Sequence, residues 1–465
     1  MSKKITRTEI LNIEQLYLEL SDKWHQEWCE DNEWAEPSNG RRGIFGASLT
    51  IWLMMLQGLS GSSMKDVLSQ MQEGAAELVL SRTPRGKRAR KLSSNTGGFS
   101  HAKQRLPLSD VEDAVDAINK GLKVESGAEL IHGYRVAVID GTDVIVERTA
   151  EIENLYPRGH NSHGKLNHPD LLTVFVTDMV SGVTSNPEFG PMRGEHATSE
   201  AVLGGRVIEK LEPGTLLIGD INFGIFSVIS HARAHKQQVL FRMLGARTNK
   251  FLVGESKTGT IDKKVTWIKS RHDQMLAPED PLEVEGRFIR VTLRTRGFPN
   301  LTLSFFTTTD LSVEQLVELY GKRVNVETDI RYLKKMFQVE RLYSRTSDNI
   351  AKELLIRFCA FNLTRRVIAN VAPMVGLQPR QISFTHALMY IKVFGPKIQK
   401  AESEQEREEL KQRFLVIMRQ GKLPNRKKNR HEPRNVTHNG ERFPVLRGSR
   451  AAAAKKEMSK NRSSK

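Results

Sequence analysis

One short segment of the chain combines a carboxylate, two cations and a phenol at helical spacing. Tyr320, Arg323, Glu327 and Lys334 follow one another as Tyr-x2-Arg-x3-Glu-x6-Lys within LYGKRVNVETDIRYLKKMF. At about 100° per residue, all four would lie within about one-sixth of the circumference of an α-helix. The glutamate could bind a metal ion, and the cations beside it could bind phosphate groups. This stripe suits an enzyme that cuts nucleic-acid backbones.

Two aspartates could complete a metal site with this glutamate. Asp140 ends the strand-like sequence VAVID, and Asp220 ends LLIGD. The carboxyl ends of strands are the usual place for a site in an α/β sheet. Asp140, Asp220 and Glu327 together offer the hard oxygen ligands that Mg²⁺ prefers. Each residue alone has an ordinary explanation, a turn or a solvated helix face, so the prediction depends on the ordered set.

Alternating secondary structure is predicted around these residues. Residues 134–246 contain three strands in a meander and then alternating helices and strands, which indicates a mixed α/β sheet. Residues 250–310 are strand-rich and predict a β-insertion. A helix over about 312–337 would carry the four-residue stripe, and further helices are predicted at about 349–372 and 403–419. An apolar stripe on the 312–337 helix should face the core: Leu316, Leu319, Val326, Ile330, Leu333 and Phe337.

Positive charge is concentrated in a short loop and in the carboxyl-terminal tail. Residues 8–80 read as helical and are followed by a basic loop at 82–91. There we expect phosphate contact through a group of cations: Arg85, Lys87, Arg88, Arg90 and Lys91. Another helix is predicted at about 108–122. The tail from 419 to 465 contains fifteen Lys/Arg and three Glu, and is predicted to be disordered or to fold on DNA.

The amino-acid composition limits the class of binding partner and the cellular compartment to be expected. The formal net charge of +17 favours a polyanionic partner, most often nucleic acid, over a merely soluble basic surface. Cys29 and Cys359 have no metal-binding spacing and predict no disulfide framework, so a reducing compartment is expected. The polar amino terminus shows no signal peptide. The apolar run at about 47–59 is too short to span a bilayer, so no membrane association is expected.

These residues together resemble a known family, the DDE transposases of bacterial insertion-sequence family four. The resemblance is carried by the ungapped Tyr-x2-Arg-x3-Glu-x6-Lys signature, with IDGT around Asp140 and TLLIGDINF around Asp220. HATSE before a predicted helix and GGFSHAKQRLP upstream fit as well. The resemblance covers about residues 45–370. Two departures are Ile221 and Val324, where family members often have Arg and Trp.

The resemblance implies an α/β fold with a ribonuclease-H-like catalytic core. That core would occupy residues 130–375, with the inserted β-strand domain at about 247–310. A helical N-terminal DNA-binding region would occupy 1–125, and a helical segment with a basic tail would occupy 376–465. The expected host compartment is the bacterial cytoplasm, in association with the nucleoid.

The resemblance also implies the roles of the site residues. Asp140, Asp220 and Glu327 would be the catalytic, metal-binding triad for two Mg²⁺ ions, with Mn²⁺ as a substitute. Tyr320, Arg323 and Lys334 would contact phosphates near the cleaved end. The partner would be double-stranded DNA, as terminal inverted repeats and as target DNA. A homodimer on DNA and a hairpin intermediate are further implications.

Other interpretations stay open at this stage. The chain could be an inactivated, transposase-derived DNA-binding protein, or a ribonuclease-H-like nuclease without strand transfer. A structural basic protein is the least specific alternative. Trp267 is expected to be a half-buried strand aromatic rather than a base-holding residue. Asp143 is expected to face away from Asp140 or to cap a turn, and three histidines are expected to belong to a polar loop rather than a zinc site: His160, His163 and His168.

Overall fold

The computed structural model describes six main stretches of the 465-residue chain. These are residues 45–70, 95–116, 130–254, 259–273, 281–294 and 300–424, apart from 46, 114, 163 and 272, with isolated positions at 449, 451, 452 and 455. The predicted amphipathic segment at 8–30 and the basic loop at 82–91 lie outside the described residues. Nearly all of the basic tail lies outside them too.

Within the described stretches, eight strands form one mixed sheet in the order β5-β4-β1-β6-β7-β10-β9-β8. Their bounds are β1 Val136–Ile145, β4 Asp170–Asp178, β5 Glu188–Pro191, β6 Leu216–Gly219, β7 Gln238–Arg242, β8 Ile261–Ile268, β9 Glu283–Leu293 and β10 Leu301–Thr307. A separate two-stranded ribbon pairs β2 His160–Asn161 with β3 Gly164–Lys165.

The strand directions are compatible with a ribonuclease-H-like core. β1, β4 and β5 form the predicted antiparallel meander. β6 then runs parallel to β1, and β7 runs parallel to β6. The seven central residues of β4 are all buried, as expected for a strand whose two faces are both covered.

The strand-rich segment before the signature residues extends this sheet. β10 pairs antiparallel with β7, and β9 and β8 continue outward from it. In β9 the apolar side chains of Ile289 and Val291 are buried. The predicted strands are therefore present, and they are continuous with the main sheet through backbone hydrogen bonds.

The helices of the described residues cover both faces of the sheet. Their bounds are α1 Ala47–Ser60, α2 Met64–Gln70, α3 Gly97–Arg105, α4 Ala150–Leu155, α5 Glu200–Glu209, α6 Phe226–Ala234, α7 Gly245–Thr248, α8 Val313–Gly321, α9 Val324–Met336, α10 Ser347–Met374, α11 Phe384–Lys400 and α12 Glu404–Gln420. Residues 108–113 are also helical. Side-chain N-caps begin several of these helices, including Ser199, Ser312, Thr346 and Ser403.

The core has three buried clusters. Side chains of α5 and α6 pack on one face of the sheet with β1, β4 and β7. Side chains of α8 and α9 pack on the other face. The third cluster surrounds α10, which is buried along most of its length against α1 and α11. Because α10 is buried around most of its circumference, including charged residues such as Arg357 and Arg365, it is the central helix of this layer.

The prediction of one helix over 312–337 was wrong at its middle. α8 ends at Gly321, and α9 begins at Val324 after a two-residue turn. Arg323 N–H bonds to Tyr320 O, and Val326 N–H bonds to Arg323 O. These i to i−3 bonds tighten the backbone into a 3₁₀-type turn, which Gly321 favours because glycine is a poor helix former. The stripe is therefore divided between Tyr320 and Arg323.

Candidate active site

The first two predicted carboxylates lie at a crevice where two parallel strands separate. β1 and β6 pair only from Val136 with Leu216 to Val138 with Ile218. Asp140 and Asp220 each follow the last pair by two residues, so the register places them level with one another. β1 continues to Ile145 while β6 ends at Gly219. This is the carboxyl-end crevice at which α/β sheets usually bind ligands.

The loop after β6 holds Asp220 in place. Asp220 Oδ1 accepts a hydrogen bond from Asn222 N–H at 2.8 Å. Arg247 Nη1 donates to Ile221 O at 2.9 Å and to Gly224 O at 3.2 Å. At Gly224 a Cβ would lie only 2.1 Å from Arg242 O, so this close backbone approach requires glycine.

Arg323 joins the predicted helix carboxylate to the sheet. Its Nη1 donates to Asp140 Oδ2 at 2.8 Å, and its Nη2 donates to Glu327 Oε1 at 2.7 Å. One guanidinium therefore spans the two carboxylates, although Arg323 was expected to contact phosphate. Glu327 is the more exposed of the two acids, with 52% of its side chain accessible against 16% for Asp140.

The acids of the crevice perturb one another electrostatically. Burial raises the pKa of Asp140, and the negative charges of Asp220 and Glu327 raise it further, against the opposing effects of Arg323 and the Gly141 N–H. Burial lowers the pKa of Arg323, but the combined attraction of Asp140, Tyr320, Glu327 and Asp220 outweighs it and the net direction is upward. The site therefore concentrates negative charge around the Arg323 guanidinium.

A fourth carboxylate, Glu200, was missed by the sequence reasoning. It begins α5 after the Ser199 cap, and burial followed by the charges of Asp220, Asp140 and Asp143 raises its pKa. A Cβ at Gly141 would lie 2.7 Å from Glu200 Oε1, so the glycine makes room for this acid beside β1. The HATSE sequence was used only as a family resemblance, and nothing in it indicates that the helix start reaches the crevice.

The other candidate residues of the site lie on α8, α9 and β1, or outside the described residues. Tyr320 stacks in a tilted arrangement on Phe305, with ring centroids 4.9 Å apart. Lys334 lies on α9 and is partly exposed. Asp143 is exposed on β1, and its negative charge helps to raise the pKa of Glu200. The predicted phosphate-binding cations of the basic loop lie outside the described residues: Arg85, Lys87, Arg88, Arg90 and Lys91.

The structure also places Trp267 and two of the three histidines that were expected to belong to a polar loop. Trp267 is almost fully buried in β8, where its ring contacts Phe226, Phe251 and Phe306 edge-on. It is a core residue, more deeply buried than expected. His160 is exposed on β2, His168 lies in the loop after β3, and His163 lies outside the described residues. No metal-binding grouping involving His160 or His168 occurs among the described residues.

Comparison with known proteins settles the family. Residues 131–363, half of the chain, match the family model of the transposase DDE domain. The chain belongs to this DDE transposase family. No curated protein matches it in sequence. A piggyBac transposase, solved by cryo-electron microscopy as a synaptic complex with hairpin DNA, aligns over 94% of this chain and 89% of that chain at 12% identity. Its TM-score of 0.39 is too low to establish a shared fold.

In the transposase domain, a buried ion cluster lies on the side of α9 opposite Glu327. Asp329, two residues after Glu327 on α9, has no solvent exposure. It accepts hydrogen bonds from Arg365 of α10 and, at 2.6 Å, from Arg380 Nη1. Arg380 also donates to the backbone carbonyls of Met179 and Asp178 at the end of β4. These contacts fix α9 relative to the sheet and so fix the position of Glu327.

The acids of the transposase domain fit divalent metal ions, which DDE domains generally use. Asp140 and Asp220 are level across the crevice, and one guanidinium bridges Asp140 to Glu327. A site that holds a cation between two carboxylates in this way offers the oxygen ligands and the charge that hard divalent cations require. The ligand atoms of Asp140, Asp220 and Glu327 do not all lie within 4.8 Å of one another.

None of the described helices is long and apolar enough to cross a membrane.

Proposed function

We propose that this DDE transposase cuts DNA at the ends of a mobile element and joins the freed 3′-hydroxyls to target DNA. The observation that carries the proposal is the convergence of three acids on one crevice. Asp140 on β1 and Asp220 directly after β6 lie level with one another, and Glu327 is tied to Asp140 through Arg323. A nuclease of this class needs such a set on rigid elements rather than on mobile loops.

Asp140, Asp220 and Glu327 would hold two Mg²⁺ ions, for which Mn²⁺ could substitute. When bound, such ions activate a water or a 3′-hydroxyl and stabilise the leaving oxygen of the phosphodiester. Glu200 would add negative charge beside Asp220 and hold Asn222, whose side chain hydrogen-bonds to it. Arg323 would balance the acids before metal binding and then turn to the scissile phosphate, which a guanidinium can bind with two parallel hydrogen bonds.

Tyr320 and Lys334 would contact phosphates on either side of the cleaved bond. They lie on α8 and α9, on opposite sides of the turn that contains Arg323. Lys334 would act as a point charge, and Tyr320 would donate a hydrogen bond through its hydroxyl. Because the turn divides the stripe, the Tyr320 side chain points in a different direction from those of Arg323 and Lys334.

Double-stranded DNA would be bound as terminal inverted repeats and as target. The cations of the 82–91 loop would add phosphate contacts, as would those of the tail. We propose a homodimer on DNA in which each protomer acts on one end. With a net charge of +17, binding should weaken steeply as salt is added, because phosphate contacts release counterions.

A cleavage assay tests the proposal. Purified protein would be incubated with Mg²⁺ and DNA from both flanks of its own gene, beside Glu327→Gln and the control Glu409→Gln, which changes an exposed glutamate of α12. We expect metal-dependent cuts at defined ends from wild type and the control. Glu327→Gln should lose cleavage by at least about a thousandfold while binding the same DNA.

The products separate the alternative functions. Joined products establish strand transfer. Cut ends without joined products would assign the chain to ribonuclease-H-like nucleases. Binding without cutting by wild type and Glu327→Gln alike would assign it to inactivated, DNA-binding descendants of transposases.

A further inference from the structure

A second group of potential metal ligands lies at the far ends of α5 and α6. Glu209 is in the last turn of α5, His231 is in the last turn of α6, and His235 caps the end of α6. One ligand atom from each residue lies within 4.8 Å of the other two. It is the one grouping of this kind among the described residues.

The spacing of the two histidines suits a metal ion. His231 and His235 are four residues apart, so they lie on the same face of α6, as zinc-binding histidine pairs on helices do. Their ring centroids are 4.5 Å apart. Around a tetrahedral zinc ion with ligands at 2.0–2.1 Å, ligand atoms are about 3.3 Å apart. Small side-chain rotations would bring the three ligand atoms to that separation.

The hydrogen bonding of the histidines leaves the required nitrogens available. His235 Nδ1 lies 3.0 Å from His231 O, so as a donor it would leave Nε2 free to bind metal. Such a bond from the non-ligating nitrogen to a backbone carbonyl is usual for metal-binding histidines. His231 Nε2 is buried and lies 3.1 Å from Glu209 Oε1, yet it has no hydrogen-bond partner of acceptable geometry among the described residues.

Charge and access also favour a cation at this position. Both helices end here, and a helix carboxyl terminus carries partial negative charge that attracts cations. Glu209 adds a formal negative charge, and half of its side chain is exposed, so an ion can enter from solvent. Gly205 of α5 packs beside the cluster, where an added Cβ would lie in van der Waals contact with His231 Nε2 at 3.5 Å.

We propose that Glu209, His231 and His235 form a zinc-binding site distinct from the candidate active site. Two imidazoles and one carboxylate are a ligand set that Zn²⁺ accepts, with water in the fourth position, whereas Mg²⁺ prefers oxygen ligands alone. Glu209 is nine residues from Glu200 on α5, a distance of about 14 Å along the helix axis. The two sites therefore lie at opposite ends of α5.

The zinc would fasten α5 to α6. The beginning of α5 provides Glu200 to the crevice, and the beginning of α6 follows the loop that carries Asp220. A bond between the opposite ends of these helices would reduce their relative movement on the sheet. The proposed role of the zinc is to link the two helices, and the site stands whether or not the chain cleaves DNA.

The test is zinc binding by the full chain in excess Mg²⁺, which keeps the crevice carboxylates occupied. We expect one Zn²⁺ per chain by isothermal titration, and a rise in melting temperature when zinc is added. Glu209→Gln and His235→Gln should each weaken zinc binding by more than about tenfold and abolish the rise. His101→Gln changes an exposed histidine on α3, and Glu327→Gln changes the crevice; both should bind zinc as wild type does.

Cobalt provides a second readout of the ligands. Co²⁺ added to wild type should give the visible absorption of a low-coordinate site with nitrogen ligands, and His235→Gln should lose it. Both Gln substitutions are at the surface, and matching melting temperatures without metal would show that the variants are folded. The proposal is overturned if wild type takes up no zinc in excess Mg²⁺, or if both variants bind it as tightly as the His101→Gln control.

Discussion

Replacing Asp329 with asparagine should destabilise the protein strongly without altering the candidate metal-binding acids. The Asp329 side chain is fully buried and faces Arg365, which is 3% exposed, and Arg380, which is 19% exposed. Asparagine keeps the shape but removes the charge, which leaves two guanidiniums without their anion. Burial lowers the pKa of Arg365 to about 10, so this residue still carries its charge at neutral pH.

The expected magnitude follows from the burial of the cluster. Removing one partner from a buried ion pair costs about 3–5 kcal/mol, because the remaining charge has no compensation. We expect the free energy of unfolding to fall by about that amount. For a chain of this size, about 2 °C per kcal/mol gives a melting temperature lower by roughly 6–10 °C. The effect should be the same with and without Mg²⁺, since Asp329 faces away from the crevice.

Urea unfolding followed by tryptophan fluorescence would measure the loss, with Glu327→Gln as the matched control on the same helix. Glu327 is exposed, so its substitution should change the unfolding free energy by less than about 1 kcal/mol. The reasoning is refuted if Asp329→Asn is as stable as Glu327→Gln. If Asp329→Asn is stable but inactive while Glu327→Gln still cleaves, Asp329 is the acid that α9 contributes to catalysis.

Three further substitutions test the core, the loop and the fourth acid. Trp267→Ala should cost about 3–5 kcal/mol in urea unfolding, as expected for a buried aromatic; a loss of cleavage at unchanged stability would instead indicate a direct role on DNA. Gly224→Ala would place a Cβ 2.1 Å from Arg242 O, so both melting temperature and cleavage should fall, while Gly245→Ala, with open space around it, should leave both unchanged. The pKa of Glu200 is raised, chiefly by burial, so its ionisation costs stability as pH rises from its ordinary value through the raised one. Glu200→Gln should therefore melt higher than wild type in EDTA at pH 8, and the difference should shrink on acidification; a constant difference would contradict this account.

The strands and their acids could be predicted because each signal is local. Runs such as VAVID and LLIGD have strand composition, so Asp140 and Asp220 could be chosen without knowing how the strands pair. The predicted strand end was right for Asp220, which follows β6, but wrong for Asp140, because β1 continues to Ile145. The order of the sheet could not be obtained in this way. The continuation from β7 into β10 depends on pairing between segments far apart in sequence.

The contacts between secondary-structure elements could not be predicted from the sequence. The 3₁₀-type turn at Arg323 interrupts a pattern that fits a continuous helix, and a single glycine is a weak signal for such a break. Glu200 begins a helix 60 residues from Asp140 along the chain. Its proximity follows from the packing of α5 and from the missing side chain of Gly141. Arg323 was expected to face phosphate, and its pairing with two acids depends on the position of the sheet.

The packing of α1 against α10 also has a consequence for synthesis on the ribosome. α1 is made about 300 residues before α10, yet its buried side chains, including Ile51 and Leu53, share one core with α10. At about 5–20 residues per second, translation separates the two helices by roughly 15–60 s. During that interval the apolar face of α1 has no native partner and would need a chaperone or the ribosome surface to cover it. Synthesis of α10 thus determines when α1 can reach its native packing.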